Sequence, residues 1–361
     1  MMNYPEFTFS VVSELPDNGV IKCTSPSNIA LVKYWGKRPI QLPENASISF
    51  TLETCKTITS LAYKRKETPS EDFDFELLFE GKPKPDFKPK IQSFFTRIET
   101  YLPFLKEYSF TIETSNTFPH SSGIASSASG MSALAYCLMQ LERKINTSIT
   151  EHELLQKTSF LARLGSGSAC RSLEGPITVW GKHDAIGGSS DAFAVKFPHT
   201  IHDNFKEFQD TILLVDKGEK QVSSTVGHDL MHGHPFSAKR FEQATNNLSK
   251  LKEILGTGDL DAFIEVVESE ALTLHAMMMT SLPYFILMKP NTLVVINKVW
   301  EYRKATGSKL CFTLDAGANV HLLYPNNEKD KVLSFITSEL VAYCENGQYI
   351  CDKIGLGAKL L

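Results

Sequence analysis

The segment SNIALVKYWGKR, residues 27–38, constrains the fold of this chain more than any other. Its first half has the apolar composition of a buried strand, but it ends with Lys33, Lys37 and Arg38 around a Tyr-Trp pair. A strand that continued into a core would bury these charges without partners, at a high cost in free energy. The segment is therefore predicted to end at a cleft, where Lys33, Tyr34 and Lys37 converge on a polyanionic substrate. The alternative is an edge strand whose lysines extend into solvent.

The length and charge of the chain limit the classes of protein to consider. With 361 residues the chain is too long for one small core, and two domains are predicted, residues 1–205 and 206–361. The net charge of −4 excludes a general affinity for nucleic acid or an anionic membrane surface. Positive charge in a binding site must therefore be local.

The N-terminal residues and the cysteines predict a cytoplasmic protein. The N-terminal segment lacks the basic and apolar regions of a signal peptide, and no apolar run approaches the roughly 20 residues that span a membrane. The seven cysteines include no CxxC pair and are odd in number, which is typical of reduced thiols.

Hydrophobic periodicity predicts an α+β protein. Alternating patterns in the first 65 residues indicate strands, and the apolar spacing of residues 131–141 indicates a long helix with one buried face. In the C-terminal half, predicted helices at 238–256, 259–278 and 291–305 are combined with short strands.

The segment PHSSGIASSASG, residues 119–130, has the composition of a phosphate-binding turn. Glycine allows close approach of the backbone to a ligand, and the helix predicted to follow at Ala128 offers unpaired N–H groups. Gly123, Ser126 and Ser127 are the candidate residues, although the segment does not match the GxxxxGK[ST] pattern. The alternative is a serine-rich turn that caps the helix.

The segment GSGSACRS, residues 165–172, places Ser166 and Ser168 shortly before Arg171. A guanidinium beside two hydroxyl groups is suited to a carboxylate or a phosphate, because arginine donates in a bidentate fork. The alternative is a capping turn with a solvated arginine.

The segment TLDAGANVH, residues 313–321, follows an apolar strand with Asp315. An aspartate at a strand end is commonly a turn residue. The alternative interpretation is a catalytic base at the rim of the core.

These segments, with SSTVG at 223–227, occur in the order and at the spacing found in the mevalonate diphosphate decarboxylases, and the chain resembles that family from about residue 21 onward. The family belongs to the GHMP kinase superfamily. The resemblance implies an N-terminal domain like ribosomal protein S5 domain 2, a C-terminal ferredoxin-like domain and an active site between them. It also implies ATP and Mg²⁺ as cofactors, mevalonate 5-diphosphate as substrate and a homodimer.

The resemblance further implies roles for individual residues. Asp315 corresponds to the base that acts on the substrate 3-hydroxyl, Arg171 to the residue that holds the substrate carboxylate, and Lys33 to a lysine beside the base. ATP would phosphorylate the hydroxyl, after which phosphate and CO₂ leave to give isopentenyl diphosphate. The residues expected to bind the substrate are Asn28, Tyr34, Lys37, Ser166, Ser168, Arg171 and Ser224; those expected around the ATP phosphates are Gly123, Ser126 and Ser127, with Ser127 also a candidate Mg²⁺ contact.

Other interpretations remain open. Related enzymes of the superfamily act on the 5-monophosphate or phosphorylate the 3-hydroxyl without decarboxylation, and a non-catalytic ligand sensor with the same fold is a third possibility.

His228 and His232 have the i, i+4 spacing of metal ligands, with His234 nearby, but a polar loop is the alternative. Tyr63 and Lys64 are the candidates for the adenine pocket.

Overall fold

The structure, a computed structural model, describes residues 4–10, 14–119, 124–218 and 224–361, without the side chains of residues 224 and 225. Helices and strands alternate through both halves, which confirms the predicted α+β class. The strands are β1 (Asn18–Val32), β2 (Lys37–Arg38), β3 (Leu42–Pro43), β4 (Ser47–Arg65), β5 (Asp74–Phe79), β6 (Lys82–Pro83), β7 (Tyr108–Asn116), β8 (Ile177–Trp180), β9 (Ala194–Lys196), β10 (Gln209–Leu213), β11 (Cys311–Thr313), β12 (Val320–Tyr324), β13 (Tyr349–Lys353) and β14 (Lys359–Leu360). The α-helices are α1 (Lys88–Ile98), α2 (Ser126–Ile145), α3 (Glu151–Gly165), α4 (Ser224–Asp229), α5 (Ser237–Thr257), α6 (Leu260–Met279), α7 (Pro290–Thr306) and α8 (Lys329–Phe335).

The first half is built on a mixed sheet with the strand order β14-β1-β4-β7-β5-β6, to which β8 and β9 are added beside β4. The long antiparallel pair of β1 and β4 forms its centre. Helix α2 packs on this pair, and its predicted apolar face, from Met131 to Leu141, is buried in a core shared with α1 and α3.

The ends of β1 and β4 nearest the second half are buried on both faces. All six residues from Ser47 to Leu52 are buried. The reason is a second core, in which Ile48 and Phe50 of β4 pack with Phe208 and Phe263 of the second half. The two halves therefore share apolar packing directly behind the segment that the sequence placed at a cleft.

The second half contains the antiparallel sheet β11-β12-β10-β13 and the helices α5 to α8. Its contact with the first half includes Asp352 of β13, whose carboxylate accepts hydrogen bonds from the backbone N–H groups of residues 53–55 at 2.7–3.0 Å. The last strand, β14, pairs with β1 of the first sheet. The C-terminal end of the chain thus returns across the boundary predicted at residues 205 and 206.

Helices α5 and α6 form an antiparallel hairpin, because the chain reverses within two residues. Gly258 ends α5 with a φ of 81°, a left-handed conformation that favours glycine. Asp259 then begins α6, where its side chain accepts from the backbone N–H groups of Asp261 and Ala262. This short connection places Arg240 of α5 opposite Glu270 of α6.

None of the seven cysteines forms a disulfide, and Cys351 alone is exposed. This agrees with the prediction of reduced thiols. Within the residues that the structure describes, no helix is long and apolar enough to cross a membrane.

Candidate active site

A cleft of about 620 Å³ lies where the two halves meet. The side chains that line it carry positive charge from three segments, residues 33–37, α1 and residues 165–172, together with the carboxylate of Asp315. Its lining consists of Ala30, Lys33, Tyr34, Trp35, Lys37, Gln41, Lys90, Ser93, Arg97, Ala125, Ser126, Ser127, Ala128, Gly165, Ser166, Gly167, Ser168, Arg171, His228, Leu274, Asp315 and Ala316.

Lys33 and Asp315 form an ion pair in this cleft, with 3.0 Å between Nζ and Oδ1. Lys33 is the first residue after β1, and its side chain is 2% exposed, whereas that of Asp315 is 30% exposed. Burial lowers the pKa of Lys33, and the adjacent Asp315 carboxylate opposes this shift. The pair therefore presents a carboxylate with access to the cleft, next to a lysine held by that carboxylate.

Arg171 lies deeper and is fixed by two hydrogen bonds. Its Nε donates to Asn28 Oδ1 at 3.2 Å and its Nη1 donates to Ser47 Oγ at 2.6 Å. The guanidinium also lies over the ring of Trp180, 5.8 Å from the ring centre. Asn28 is buried behind Arg171 and donates to the backbone carbonyl of Ser168, so the structure gives it a supporting position outside the cleft lining.

Tyr34, Lys37, Ser166 and Ser168 also line the cleft. The Tyr34 hydroxyl is buried and has no hydrogen-bond partner among the described residues, and burial raises its pKa. A Cβ atom at Gly167 would lie 2.9 Å from this hydroxyl, so only glycine permits the close approach of the two segments. A buried hydroxyl with no protein partner is suited to an oxygen of a bound anion.

Arg38, whose role the sequence left unassigned, points away from this site. It forms an ion pair with Asp191 at 2.6 Å and donates to the backbone carbonyl of Pro43. Its contacts connect the short β2–β3 hairpin to the first half.

His228 lines the cleft beside Tyr34 and Trp35. Its ring lies 4.2 Å from the ring of Tyr34 and 4.7 Å from that of Trp35, and its Nδ1 accepts from the backbone N–H of Gly36 at 3.0 Å. Burial, with the charges of Lys37 and Arg171, lowers the pKa of His228 to about 3. The imidazole is therefore neutral and contributes shape and a hydrogen-bond acceptor rather than charge.

We predict that this neutral histidine makes the fold sensitive to acid. Because the folded pKa of His228 lies below the ordinary value of 6.5, its contribution to stability is complete above pH 6.5 and is lost as the pH falls toward 3. The loss is about 1.4 kcal/mol per pH unit within this window. Urea unfolding at pH 6.5, 5.5 and 4.5 would measure it. His228→Gln should flatten the slope, whereas the same change at the exposed His152 should not.

The candidate phosphate-binding residues Ser126 and Ser127 form the first turn of α2, which begins two residues earlier than predicted. Ala125 precedes the helix with a φ of 48°, and residues 125–128 line the cleft. Ser127 contacts Lys90 Nζ and lies 3.3 Å from Ser166 Oγ. A helix start beside a lysine is suited to phosphate oxygens.

A second cavity of about 280 Å³ adjoins the cleft and shares Lys90, Ser126 and Ser127 with it. Its remaining lining is largely apolar, with Leu77, Phe79, Phe87, Ile91, Ile112, Met131 and Leu134. Tyr63 and Lys64 do not line it: Tyr63 is buried against Tyr108, with 5.5 Å between the ring centres. Neither residue lines the cleft, and their assignment to an adenine pocket stays a prediction.

Sequence reasoning missed the contribution of α1 to the cleft. Lys90, Ser93 and Arg97 lie at positions i, i+3 and i+7 of this helix and share its cleft-facing side. Arg97 is anchored by its Nη1, which donates to the backbone carbonyl of Leu164 at 2.8 Å. The spacing of the three polar residues opposite the buried Phe94 and Phe95 was a signal that could have identified this face.

The histidines after the cleft do not form a metal site. In the part of the chain that the structure describes, no three histidine, cysteine or acidic side chains are grouped to hold a metal ion. His234 hydrogen-bonds through Nε2 to the backbone carbonyl of Met277, while His228 faces the cleft.

Cys170 is also excluded as a nucleophile, because burial raises the pKa of its thiol to about 12. Gly123 and the side chain of Ser224 lie outside the described residues.

Comparisons with known proteins match nearly the whole chain. Residues 25–194 match the diphosphomevalonate decarboxylase-like N-terminal domain, and residues 211–355 match the mevalonate 5-diphosphate decarboxylase C-terminal domain. A diphosphomevalonate decarboxylase of Aspergillus fumigatus is 28% identical over 335 residues, which cover 88% of this chain and 80% of the relative. The corresponding protein of Rattus norvegicus is 28% identical, with 91% of this chain and 81% of the relative covered.

Solved structures are similar over the same extent. A mevalonate diphosphate decarboxylase from Staphylococcus aureus superposes with a TM-score of 0.81 at 27% identity, covering 95% of this chain and 98% of the other. A structure described as MDDEF in complex with MVAPP, AMPPCP and magnesium has a TM-score of 0.80 at 28% identity, with the same coverage.

Proposed function

This chain belongs to the mevalonate 5-diphosphate decarboxylase family of the GHMP kinase superfamily, and we propose that the cleft between its two halves is the active site. The chain catalyses the ATP-dependent decarboxylation of mevalonate diphosphate, with ATP and Mg²⁺ as cofactors. The single observation that supports the location of the site is the convergence of Lys33, Asp315 and Arg171 on one cleft beside an apolar cavity.

In the proposed mechanism, Asp315 accepts the proton of the substrate 3-hydroxyl as the phosphoryl group of ATP is transferred to that oxygen. The carboxylate is 30% exposed at the cleft, so it is accessible to the substrate, and a tertiary hydroxyl needs such a base to act as a nucleophile. Lys33, 3.0 Å from Asp315, offsets negative charge at the reacting oxygen. Phosphate and CO₂ then leave to give isopentenyl diphosphate.

Arg171 would hold the substrate carboxylate, because Asn28 and Ser47 fix its guanidinium while other donors of the fork remain for the cleft. Tyr34, Lys37, Ser166 and Ser168, which also line the cleft, would bind the diphosphate. We also assign Ser224 to the residues that bind the diphosphate. Asn28 is assigned to holding the guanidinium of Arg171 in place.

The two adjoining cavities suggest how ATP is placed. We assign the adenine base to the apolar cavity of about 280 Å³ and the phosphates to its junction with the cleft, where Ser126, Ser127 and Lys90 lie. Gly123 is assigned to the same phosphate loop. Because no acidic cluster is present among the described residues, Mg²⁺ would be held by phosphate and water oxygens, with Ser127 as a candidate protein contact. Its chemical contribution is to neutralise phosphate charge.

Gly130 provides a test of the nucleotide cavity. This glycine lies on α2 and lines the cavity, and a Cβ atom added there would meet no other atom within 4 Å. Gly130→Leu should therefore extend into the cavity and raise the KM for ATP about tenfold or more, which corresponds to about 1.4 kcal/mol of binding free energy. Gly130→Ala is the matched control: it should stabilise the helix by roughly 1 kcal/mol and leave the KM nearly unchanged. An unchanged KM in the leucine variant would contradict the assignment.

The substrate is tested by measuring ADP and CO₂ together. The purified protein would receive ATP, Mg²⁺ and either mevalonate 5-diphosphate or 5-phosphate. We expect equal amounts of ADP and CO₂ with the diphosphate, and a much lower kcat/KM with the monophosphate. ADP without CO₂ would indicate a 3-kinase, preference for the monophosphate would indicate a phosphomevalonate decarboxylase, and nucleotide binding without turnover would indicate a sensor.

We further propose a homodimer in the cytoplasm, with a domain boundary at residues 205 and 206. The boundary lies between β9 of the first sheet and β10 of the second. The exposed apolar side chains of Leu282, Tyr284 and Ile286 offer a surface for association. Sedimentation equilibrium would distinguish a dimer from a monomer of 40.3 kDa.

A further inference from the structure

We propose that helix α6 sets the distance between the two reacting side chains, with Glu270 and His275 as positioning residues. Glu270 holds the backbone of Lys33, and His275 holds the backbone of Asp315. This inference rests on the proposed roles of Lys33 and Asp315, and it adds two residues that contact neither substrate nor reacting atoms.

The backbone of Lys33 is held from the opposite half of the molecule. Its N–H donates to Glu270 Oε2 at 2.9 Å, and its carbonyl accepts from Arg240 Nη2 at 3.2 Å and from Asn45 Nδ2 at 3.0 Å. Because Lys33 follows the last residue of β1, these backbone groups lie beyond the strand ladder and need other partners. Glu270 supplies the acceptor and thereby fixes the point from which the lysine side chain extends.

Glu270 is itself held rigidly. Arg240 donates from Nη2 to Oε2 at 2.6 Å and from Nη1 to Oε1 at 3.0 Å, and Asn247 Nδ2 donates to Oε1 at 2.7 Å. The side chains of Arg240 and Glu270 are fully buried. A buried ion pair of this kind is often no more stabilising than apolar side chains of similar volume. A gain in stability therefore does not explain the buried pair of Arg240 and Glu270. Its role as a fixed hydrogen-bond acceptor for the Lys33 backbone does.

His275 performs the corresponding task for the base. Its Nε2 is 3.1 Å from the backbone carbonyl of Asp315, so this nitrogen carries the proton and donates. Burial lowers the pKa of His275 to about 4, which keeps the imidazole neutral near pH 7. Glu270 and His275 are five residues apart, about 7.5 Å along the helix axis. The rigid backbone of α6 thus connects the attachment points of Lys33, from the first half, and Asp315, from the second.

Glu268 on the same helix offers a matched comparison. It forms an ion pair with Arg303 at 2.7 Å and accepts from Trp300 Nε1 at 2.9 Å, both on α7. These contacts lie within the second half and involve neither Lys33 nor Asp315. Replacing Glu268 and Arg303 therefore removes a carboxylate–guanidinium pair from α6 without releasing the active-site backbone.

The test compares two double variants that both remove the buried ion pair. Glu270→Gln with Arg240→Met keeps an oxygen acceptor for the Lys33 N–H, whereas Glu270→Leu with Arg240→Met does not. We expect the leucine variant to lose about 100-fold in kcat, with KM values for both substrates within about threefold of the wild type. The glutamine variant should stay within about fivefold of the wild-type kcat. Glu268→Gln with Arg303→Met should lower the Tm and leave kcat unchanged.

Equal kcat values for the two double variants, both folded by circular dichroism and both binding ATP, would overturn the role of Glu270. If the leucine variant does not fold, variants of His275 test the proposal instead. His275→Phe removes the donor to Asp315 and should lower kcat about 100-fold. His275→Gln keeps a donor and should retain most of the wild-type kcat. Equal activity of this pair would overturn the proposal. Wild-type protein that forms no CO₂ would instead refute the proposed function, so the two failures are distinguishable.

Discussion

Asp315→Asn is expected to give a folded protein that binds ATP and substrate but turns over about 1,000-fold more slowly. A general base contributes roughly 10²–10⁴ to the rate, and asparagine of nearly the same shape cannot accept the hydroxyl proton. Because asparagine keeps the shape of Asp315 but leaves the buried Lys33 without its carboxylate partner, some loss of stability is expected, and circular dichroism should confirm that the variant is folded. The measurements are single-turnover formation of CO₂ and the equilibrium binding of both substrates.

The loss of turnover in Asp315→Asn should include an indirect part, because Asp315 also influences the charge of Lys33. Burial lowers the pKa of Lys33, and the Asp315 carboxylate is the largest influence that raises it again. Without that carboxylate the pKa of Lys33 is lower still, so the variant lacks the base and also holds the adjacent charge less firmly. Lys33→Met should therefore have a large effect by itself, and the double variant should be little worse than Asp315→Asn, since the two residues act as a unit.

Asp261→Asn serves as the control for the change of charge. Asp261 lies in the first turn of α6, forms an ion pair with Lys309 at 2.5 Å and is 76% exposed. Its replacement should leave the turnover within about twofold of the wild type, as expected for a surface pair. Near-normal turnover of Asp315→Asn would show that another group accepts the proton.

The sequence was informative about the cleft wherever one short segment contained both the residues of a secondary-structure element and the polar side chains that line the cleft. SNIALVKYWGKR combines an apolar strand with Lys33, Tyr34 and Lys37, and the structure ends β1 at Val32, so that all three line the cleft. GSGSACRS likewise places Ser166, Ser168 and Arg171 around the cleft. In the first segment a charge pattern incompatible with a core indicated a binding site, since buried charges need partners, and in the second the indication was an arginine beside two hydroxyl groups.

Contacts between distant parts of the chain could not be predicted in this way. Glu270 has the appearance of an ordinary helical glutamate, and only the packing of α6 against β1 shows that it accepts from Lys33, 237 positions away. The spacing of Lys90 and Arg97 can mark one polar side of α1, but only the assembled fold shows that this side faces the cleft. Pairing of distant segments depends on the whole fold, which local periodicity does not encode.

Arg171→Gln is expected to lower kcat/KM for mevalonate 5-diphosphate about 1,000-fold. The guanidinium is buried and held by Asn28 and Ser47, so it would be positioned for the substrate carboxylate before binding. Removing one partner of a buried charge pair costs roughly 3–5 kcal/mol, because the other charge is left without compensation. The loss should appear in the KM for this substrate as well as in kcat, while the affinity for ATP in the separate apolar cavity stays nearly constant.

Two further variants separate charge from geometry. Arg171→Lys keeps the positive charge, but its single ammonium nitrogen cannot occupy the separate positions of Nε, Nη1 and Nη2 that reach Asn28, Ser47 and the cleft, so most of the loss should remain. Arg163→Gln is the control for the general effect of removing a buried guanidinium. Arg163 is equally buried but donates to the backbone carbonyls of Ala192 and Ile40, so it should lower the Tm more than the activity. Full activity of Arg171→Lys would mean that charge alone is sufficient, and the proposed bidentate hold on the carboxylate would then be wrong.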